Sequence, residues 1–304
     1  MSNMVSPATA QGSEFTPQSA TALFDSYGDA LKQALALNVK TAIEEDVGKA
    51  DYTGLLIDKN KAASATVIVR ENAVLCGRPW FDAVFAQLDP TARITWHVEE
   101  GADMQPNQKV CEIAGNARAM LTAERSALNF LQLLSGVATK VRALTPHTAG
   151  TKARILDTRK TIPGLRLAQK YAVRVGGGDN QRLALYDGIL IKENHIAAAG
   201  GITQAMRAAQ ALNAGVSIQI EVESLKELQE ALQAGATSVL LDNFDLDMMR
   251  KAVELTAGRA ILEASGGISE QTLKAIAQTG VDRISIGDLT KNIRATDYSM
   301  RFSA

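Results

Sequence analysis

The chain has 304 residues, 46% of them apolar and 21% charged, with a formal net charge of −1; this is the balance of an ordinary globular protein, long enough for one large domain or two. That charge gives no global attraction to nucleic acid or to an anionic membrane. No stretch reaches the about 18 consecutive apolar residues that a transmembrane helix needs.

Met1 to Ala20 is rich in Ser, Thr, Ala, Gln and Pro and lacks the basic start and apolar core of a signal peptide, so it reads as a disordered lead-in. From about Tyr27 to Glu45, Leu31, Ala34, Leu35, Leu37, Val39 and Ile43 fall at helical spacing. Three β-rich runs follow, Ala65 to Val69, Arg93 to Val98 and Lys109 to Ile113, with Asn72, Gly77, Pro79, Gly101 and Gly115 as punctuation. A long helix is predicted from Ala117 to about Leu144, with an apolar stripe at Leu121, Leu128, Leu131 and Leu134. This half reads as an α+β domain with an antiparallel sheet. Cys76 and Cys111, each among strand-like apolar residues, read as buried reduced thiols of a cytoplasmic protein, and His97, His147 and His195 show no metal-ligand spacing.

The second half alternates strand and helix. Strand-like runs are Arg154 to Leu156, Gly188 to Ile191, Ile218 to Val222, Val239 to Leu241, Ala260 to Glu263 and Arg283 to Ile286. The segment Ser224 to Gly235 has a Ser where a helix N-cap belongs and a Gly where the helix should stop, and Ser269 to Gly280 repeats the design. Such alternation implies parallel strands joined by crossover helices, as an incomplete α/β barrel or, alternatively, a doubly wound open sheet.

Each strand ends on residues able to do chemistry: Asp157-Thr158-Arg159-Lys160, Lys192-Glu193-Asn194-His195, Glu221 with Glu223, Asp242-Asn243, Ser265-Gly266-Gly267 and Gly287-Asp288. In a parallel barrel these ends converge on one face, where sites are built. From Lys152 to Lys192, nine Lys or Arg stand against three Asp, a local charge of +6. Some of the nine are expected on a solvated surface. Arg159, Lys160, Arg182 and Lys192, near strand ends or the glycine turn, suit a substrate with several negative charges, Arg for planar carboxylates and Lys for phosphate. Glu221 and Asp242 read either as caps and salt-bridge partners of that cluster, or as hard oxygen ligands for Mg²⁺ and acceptors for sugar hydroxyls. The glycines after the last two strands suit backbone N–H groups approaching a phosphate. Gly176-Gly177-Gly178 lacks the spacing of a dinucleotide fingerprint.

These residues resemble the quinolinate phosphoribosyltransferase family, over about Glu45 to Arg301. The similarity is carried by Glu45-Asp46-Val47-Gly48 with Asp51 and Thr53, Glu124 to Asn129 with Ser135-Gly136, Leu156 to Thr161 with Pro163-Gly164, Gly176-Gly177-Gly178, Leu190 to His195, Leu241 to Phe244 and Ser265-Gly266-Gly267. The resemblance implies an N-terminal α/β sandwich domain over residues 21–148, an open α/β barrel over 149–290, and a segment 291–304 packing back on the first domain. It implies an enzyme that makes nicotinate mononucleotide from quinolinate and phosphoribosyl pyrophosphate with Mg²⁺ and no organic cofactor. It also implies a homodimer, or a larger assembly built from it, in which Arg125 reaches the partner's site. Carried over, Arg125, Arg159, Lys160, Arg182 and Lys192 bind the quinolinate carboxylates and the pyrophosphate. Glu221 and Asp242 hold the ribose side and Mg²⁺, directly or through water, and Ser265, Gly266, Gly267 and Gly287 take the 5′-phosphate. Thr158, Ser285 and Ile286 complete the binding set, and Lys160, Glu221 and Asp242 are the expected catalytic residues. The chain departs from many relatives at Asn180-Gln181-Arg182, where they carry Asn-His-Arg; Gln181 keeps a hydrogen-bonding role but cannot become cationic.

Overall fold

A computed structural model describes residues 17–303. In chain order the first part comprises α1 (Pro17–Ser26), α2 (Gly28–Val47), β1 (Ala62–Val69), β2 (Ala73–Val74), α3 (Arg78–Leu88), β3 (Arg93–Trp96), β4 (Asp103–Met104), β5 (Lys109–Asn116) and α4 (Ala117–Leu144). The second part comprises β6 (Arg154–Leu156), α5 (Arg166–Val175), β7 (Gly188–Ile191), α6 (Glu193–Ala199), α7 (Ile202–Ala211), β8 (Ser217–Val222), α8 (Leu225–Gln233), β9 (Ser238–Asp242), α9 (Leu246–Thr256), β10 (Ile261–Ser265), α10 (Glu270–Ala277), β11 (Arg283–Ser285), α11 (Asp288–Lys291) and β12 (Tyr298–Phe302). The lead-in expected over residues 1–20 falls largely outside the described residues, and its end is corrected: the chain is already helical from Pro17.

The first sheet is antiparallel in the order β12-β1-β5-β3. On β1, Ala65, Val67 and Val69 are buried while the residues between them are less so, the period of a strand with one covered face. The helix α4 lies against β1, β5 and β12, and its N-cap is the Asn116 side chain, which accepts from the Ala119 N–H. Pro79 marks no loop: it stands at the start of α3, where a proline costs no hydrogen bond. Trp80, Phe81 and Phe85 of that helix are fully buried. The chain ends by adding β12 to this first sheet, Met300 opposite Val67, with the Tyr298 hydroxyl 2.8 Å from Ser135 Oγ on α4.

The second sheet is parallel, six strands in the order β6-β11-β10-β9-β8-β7. From β7 to β11 each new strand is added on the same side, and the last pairs with the first, β6. In a flat sheet the β6–β7 connection would have to cross the full width. Curled into a barrel, it joins neighbouring edges, so the barrel is the architecture and the doubly wound alternative falls away. The ladder is open between β6 and β7, and residues 179–182 lie along that seam. Asp179 forms a bridge with Leu156, and Arg182 Nη1 donates to the Gly188 carbonyl at 2.8 Å.

The amphipathic helices cover the barrel as their capping residues foretell. The Ser224 side chain accepts from the Glu227 N–H at the start of α8, and Leu228 and Ala231 of that helix are fully buried. Gly176-Gly177-Gly178 lies where α5 closes on α4, against Ala138 and Val141, and one contiguous apolar core runs through both sheets.

Candidate active site

The C-terminal ends of β6, β10 and β11 frame a cavity of about 580 Å³, whose lining does not include Arg159, Gln181, Arg182, Lys192, Glu221 or Asp242. Thr158, Lys160, Ser265, Gly266, Gly267, Ser285, Ile286 and Gly287 line it, each of them expected from the sequence at a substrate site. Glycine is required here by close approach. A Cβ on Gly266 would sit 2.1 Å from Asn243 Oδ1, and one on Gly287 would sit 2.8 Å from the Lys160 stem. Among the described residues, the N–H groups of Gly266, Gly267 and Gly287 donate to no backbone or side-chain acceptor, which makes them available to an anion. The Ile286 N–H donates to the Leu156 carbonyl at 2.9 Å. Ile286 lines the cavity with that N–H engaged.

Two lysines at this cavity escaped the sequence reading. Lys291 follows the Gly287-Asp288 turn by one helical turn and lines the cavity. Lys140 arrives from α4, in the other half of the chain, and gives its ammonium to the Asp288 carboxylate, the Asp288 carbonyl and, at 2.9 Å, the Asn292 carbonyl. This contact holds the Asp288 carboxyl below the usual range and ties the last barrel turn to the first domain.

The nine cations from Lys152 to Lys192 separate into two groups and Arg166, which donates to Thr161 Oγ1 and the Leu183 carbonyl. Lys152, Arg154, Lys170, Arg174 and Lys192 are in ion pairs with Asp282, Asp179, Asp157, Asp179 and Glu221. Arg159, Lys160 and Arg182 have no carboxylate within 4.0 Å among the described residues. Arg159 Nε is buried with no acceptor at all, a donor left for a ligand. Burial and the neighbouring Arg159 guanidinium both lower the pKa of Arg182. Two guanidiniums that close repel unless an anion joins them.

On the neighbouring strands β7 and β8, Lys192 Nζ lies 2.8 Å from Glu221 Oε2, the salt-bridge contact of the first of its two readings. Asp242 is half-buried and accepts from its neighbour Asn243 at 2.9 Å. These are hard oxygen donors, and two carboxylates completed by substrate oxygens and water suit Mg²⁺ better than an all-protein cage would. No cluster of three or more His, Cys, Asp or Glu residues able to hold a metal occurs among the described residues. Glu221 and Asp242 are thus of the donor type that Mg²⁺ takes, without forming a metal cluster of their own.

Gln181 sits on the seam segment, which is clamped from behind. Asp157 and Lys170, both fully buried, form an ion pair. Asp157 also accepts from the Gln181 N–H at 2.9 Å and from Asn180 Nδ2 at 2.7 Å. Lys170 donates to the Gln181 carbonyl at 2.9 Å, and Tyr27 of the first domain donates to Asn180 at 2.5 Å. Burial pushes the Asp157 carboxyl up to about 6 against the pull of Lys170.

Arg125 lies apart from the cavity-lining residues, exposed on α4, with no ion pair within 4.0 Å among the described residues, although the neighbouring Glu124 feels its charge. Leu121, one turn before it, was expected in the apolar stripe but is 37% exposed. The buried face runs instead through Met120, Ala123, Ala127, Leu131 and Leu134. Arg125 thus stands on an outward ridge beside the segment 51–57, where Tyr52, Leu55 and Leu56 are 76%, 56% and 82% exposed. Asp51 and Ile57 bracket that segment and bond to Thr122 and Arg118 of α4.

Comparison with known proteins agrees with this geometry. The profile described as quinolinate phosphoribosyl transferase, N-terminal domain, matches residues 51–135, and the corresponding C-terminal domain matches residues 137–301. The chain is 40% identical over 257 residues to a probable nicotinate-nucleotide pyrophosphorylase [carboxylating] of Bacillus subtilis (strain 168), covering 84% of this chain and 89% of that protein. It is 37% identical over 285 residues to the nicotinate-nucleotide pyrophosphorylase [carboxylating] of Mycobacterium leprae (strain TN), covering 91% and 97%. The solved structure of the nicotinate-nucleotide pyrophosphorylase from Francisella tularensis superposes with a TM-score of 0.86 at 43% identity, covering 89% of this chain and 96% of that one. The chain belongs to the quinolinate phosphoribosyltransferase family.

Proposed function

We propose that the protein transfers the phosphoribosyl group of phosphoribosyl pyrophosphate to the ring nitrogen of quinolinate, releasing pyrophosphate and CO₂ and leaving nicotinate mononucleotide. One juxtaposition carries the reading. Lys160 and the free N–H groups of Gly266, Gly267 and Gly287 line one cavity, while Arg159 and Arg182, without carboxylate partners, and the carboxylates Glu221 and Asp242 belong to strand ends and the seam of the same sheet.

In this reading the paired guanidiniums of Arg159 and Arg182 take the quinolinate carboxylates, and the glycine turns take the 5′-phosphate. The nitrogen lone pair attacks the anomeric carbon as its bond to pyrophosphate breaks, through an oxocarbenium-like state. Lys160 and Lys192 offset the charge gathering on the leaving group. Once the nitrogen is alkylated, the pyridinium accepts the electron pair left as the 2-carboxylate departs as CO₂, and that ring carbon takes up one proton. Glu221 and Asp242 would hold Mg²⁺, which supplies charge neutralisation on the diphosphate. Exhaustive chelation is expected to abolish turnover until Mg²⁺ is restored, and full activity after chelation overturns that part of the assignment.

The companion proposal is a homodimer in which Arg125 enters the partner's site. Arg125, exposed and outside any ion pair among the described residues, lies on the helix whose neighbouring turns hold the segment 51–57, and exposed Leu121, Tyr52, Leu55 and Leu56 on these two elements have the composition of an interface core. Buried free thiols at Cys76 and Cys111 suit a reducing cytoplasm as the place of work. No helix among the described residues is long and apolar enough to cross a membrane.

The deciding experiment mixes the protein with quinolinate, phosphoribosyl pyrophosphate and Mg²⁺ and measures nicotinate mononucleotide. Turnover of nicotinate but not quinolinate would identify a paralogous transferase for another aromatic acid. Binding without turnover of either would identify a regulatory barrel.

A further inference from the structure

Beneath the mouth of the barrel lies a polar chain that the reaction does not use directly. Side chains two residues apart on a strand share a face, so Gln219 sits one layer below Glu221 and Glu263 one layer below Ser265. Gln219 is 6% exposed and Glu263 is fully buried. Gln219 Nε2 donates to Glu263 Oε2 at 3.0 Å, reaching past the intervening β9. Gln181 Nε2 donates to Gln219 Oε1 at 2.7 Å, and Gln181 Oε1 accepts from the Arg182 N–H at 2.6 Å.

The direction of this chain is set from the Arg182 end. A backbone N–H can only donate, so Gln181 turns its oxygen to Arg182 and its nitrogen inward. Gln219 then accepts on its oxygen and turns its amide nitrogen toward Glu263, whose carboxyl is pushed above its ordinary range by burial. A glutamine cannot carry charge, so what it gives a substrate depends on which end is free. Here the oxygen is occupied and one hydrogen of Nε2 remains.

We propose that Glu263 is a positioning residue which, through Gln219, fixes the Gln181 carboxamide so that an N–H and not the oxygen meets a quinolinate carboxylate; this rests on the functional reading above. The arrangement carries a cost in stability. Glu263 Oε1 is buried with no partner, and an isolated buried carboxylate oxygen is unfavourable unless something else requires it.

The test is the dissociation constant for quinolinate, measured by calorimetry on the full-length protein, with phosphoribosyl pyrophosphate titrated separately. Glu263→Met and Gln219→Met are each expected to weaken quinolinate binding about tenfold, the scale of one hydrogen bond to a charged group. Phosphoribosyl pyrophosphate affinity should stay within about twofold in both, because the glycine cradle retains its contacts. Glu263→Met should also raise the melting temperature, which a residue present only to support the barrel would not do. In a Gln181→Ala background the further loss from either substitution should vanish. Folded variants with unchanged quinolinate affinity, or losses that add fully to that of Gln181→Ala, overturn the proposal while leaving the functional reading intact. Failure of the wild type to bind quinolinate removes both. Should Glu263→Met fail to fold, Gln219→Met and its cycle with Gln181→Ala decide the matter.

Discussion

Lys192 and Glu221, at the ends of neighbouring strands β7 and β8, meet at 2.8 Å. Lys192 is 44% exposed at its side chain and Glu221 10%, so the pair holds two groups ready for a substrate that brings both phosphate and hydroxyls. Lys192 is half-exposed but its removal leaves the buried Glu221 carboxylate unpaired. Lys192→Ala is therefore expected to lower kcat/KM by about 30- to 1000-fold, as loss of a charge-assisted contact does, with a melting temperature lowered by a few degrees and the fold retained. A variant that melts much earlier, or keeps its activity, contradicts this.

Arg159→Ala and Lys160→Ala test the cations without carboxylate partners. Neither supports a neighbour through an ion pair, so each fold should survive. Each rate should fall by about 2–4 kcal/mol of transition-state stabilisation, roughly 30- to 1000-fold. Steady-state kinetics beside circular dichroism decide it: well-folded variants within about threefold of wild type would show that the basic cluster lies outside the chemistry.

For Arg125 the expected result is complementation. Arg125→Ala and Lys192→Ala should each be nearly inactive as homodimers. After full subunit exchange, half the dimers are mixed and each holds one intact site, so about a quarter of wild-type activity should return. No recovery despite verified exchange would place Arg125 within its own subunit or in a purely structural role.

Asp157 gives opposite trends in pH for stability and function. Its folded value of about 6 lies above the ordinary 3.8, so folding takes up a proton between the two. Its contribution to stability is fully present below 3.8 and is lost as pH rises through about 6. The anionic form is the one that accepts from Lys170, Asn180 and the Gln181 N–H. The KM for quinolinate should accordingly rise as pH falls through about 6, and a flat KM profile across that range contradicts the link between Asp157 and the seam.

Much of the barrel was legible because its strands are short apolar runs, each closed by a polar residue that could not continue inward. The run ending at Glu263 was placed about two residues early, since Ser265 still belongs to β10 and only its neighbours Gly266 and Gly267 break the strand. The helix α3 was missed because Pro79 looks the same whether it opens a helix or ends a strand. Leu121 was misread because a helical stripe gives the angle of a residue but not which flank of the helix is covered. Lys140 was out of reach of local pattern altogether: it stands 148 residues from Asp288, and nothing near either announces the other. The Lys192–Glu221 contact needed the strand order, which alternation implies but does not specify.

The strand β12 reverses the order in which the molecule can be finished. Synthesis delivers β1, β5 and β3 first, yet β1 pairs on one side with residues 298–302. Until those last residues leave the ribosome, one flank of β1 presents open N–H and C=O groups to the surroundings, a hazard that proteins ordinarily cover. A nascent chain stalled inside the barrel is therefore an incomplete sheet followed by unfinished strands, and the first sheet closes only after every barrel strand has been made.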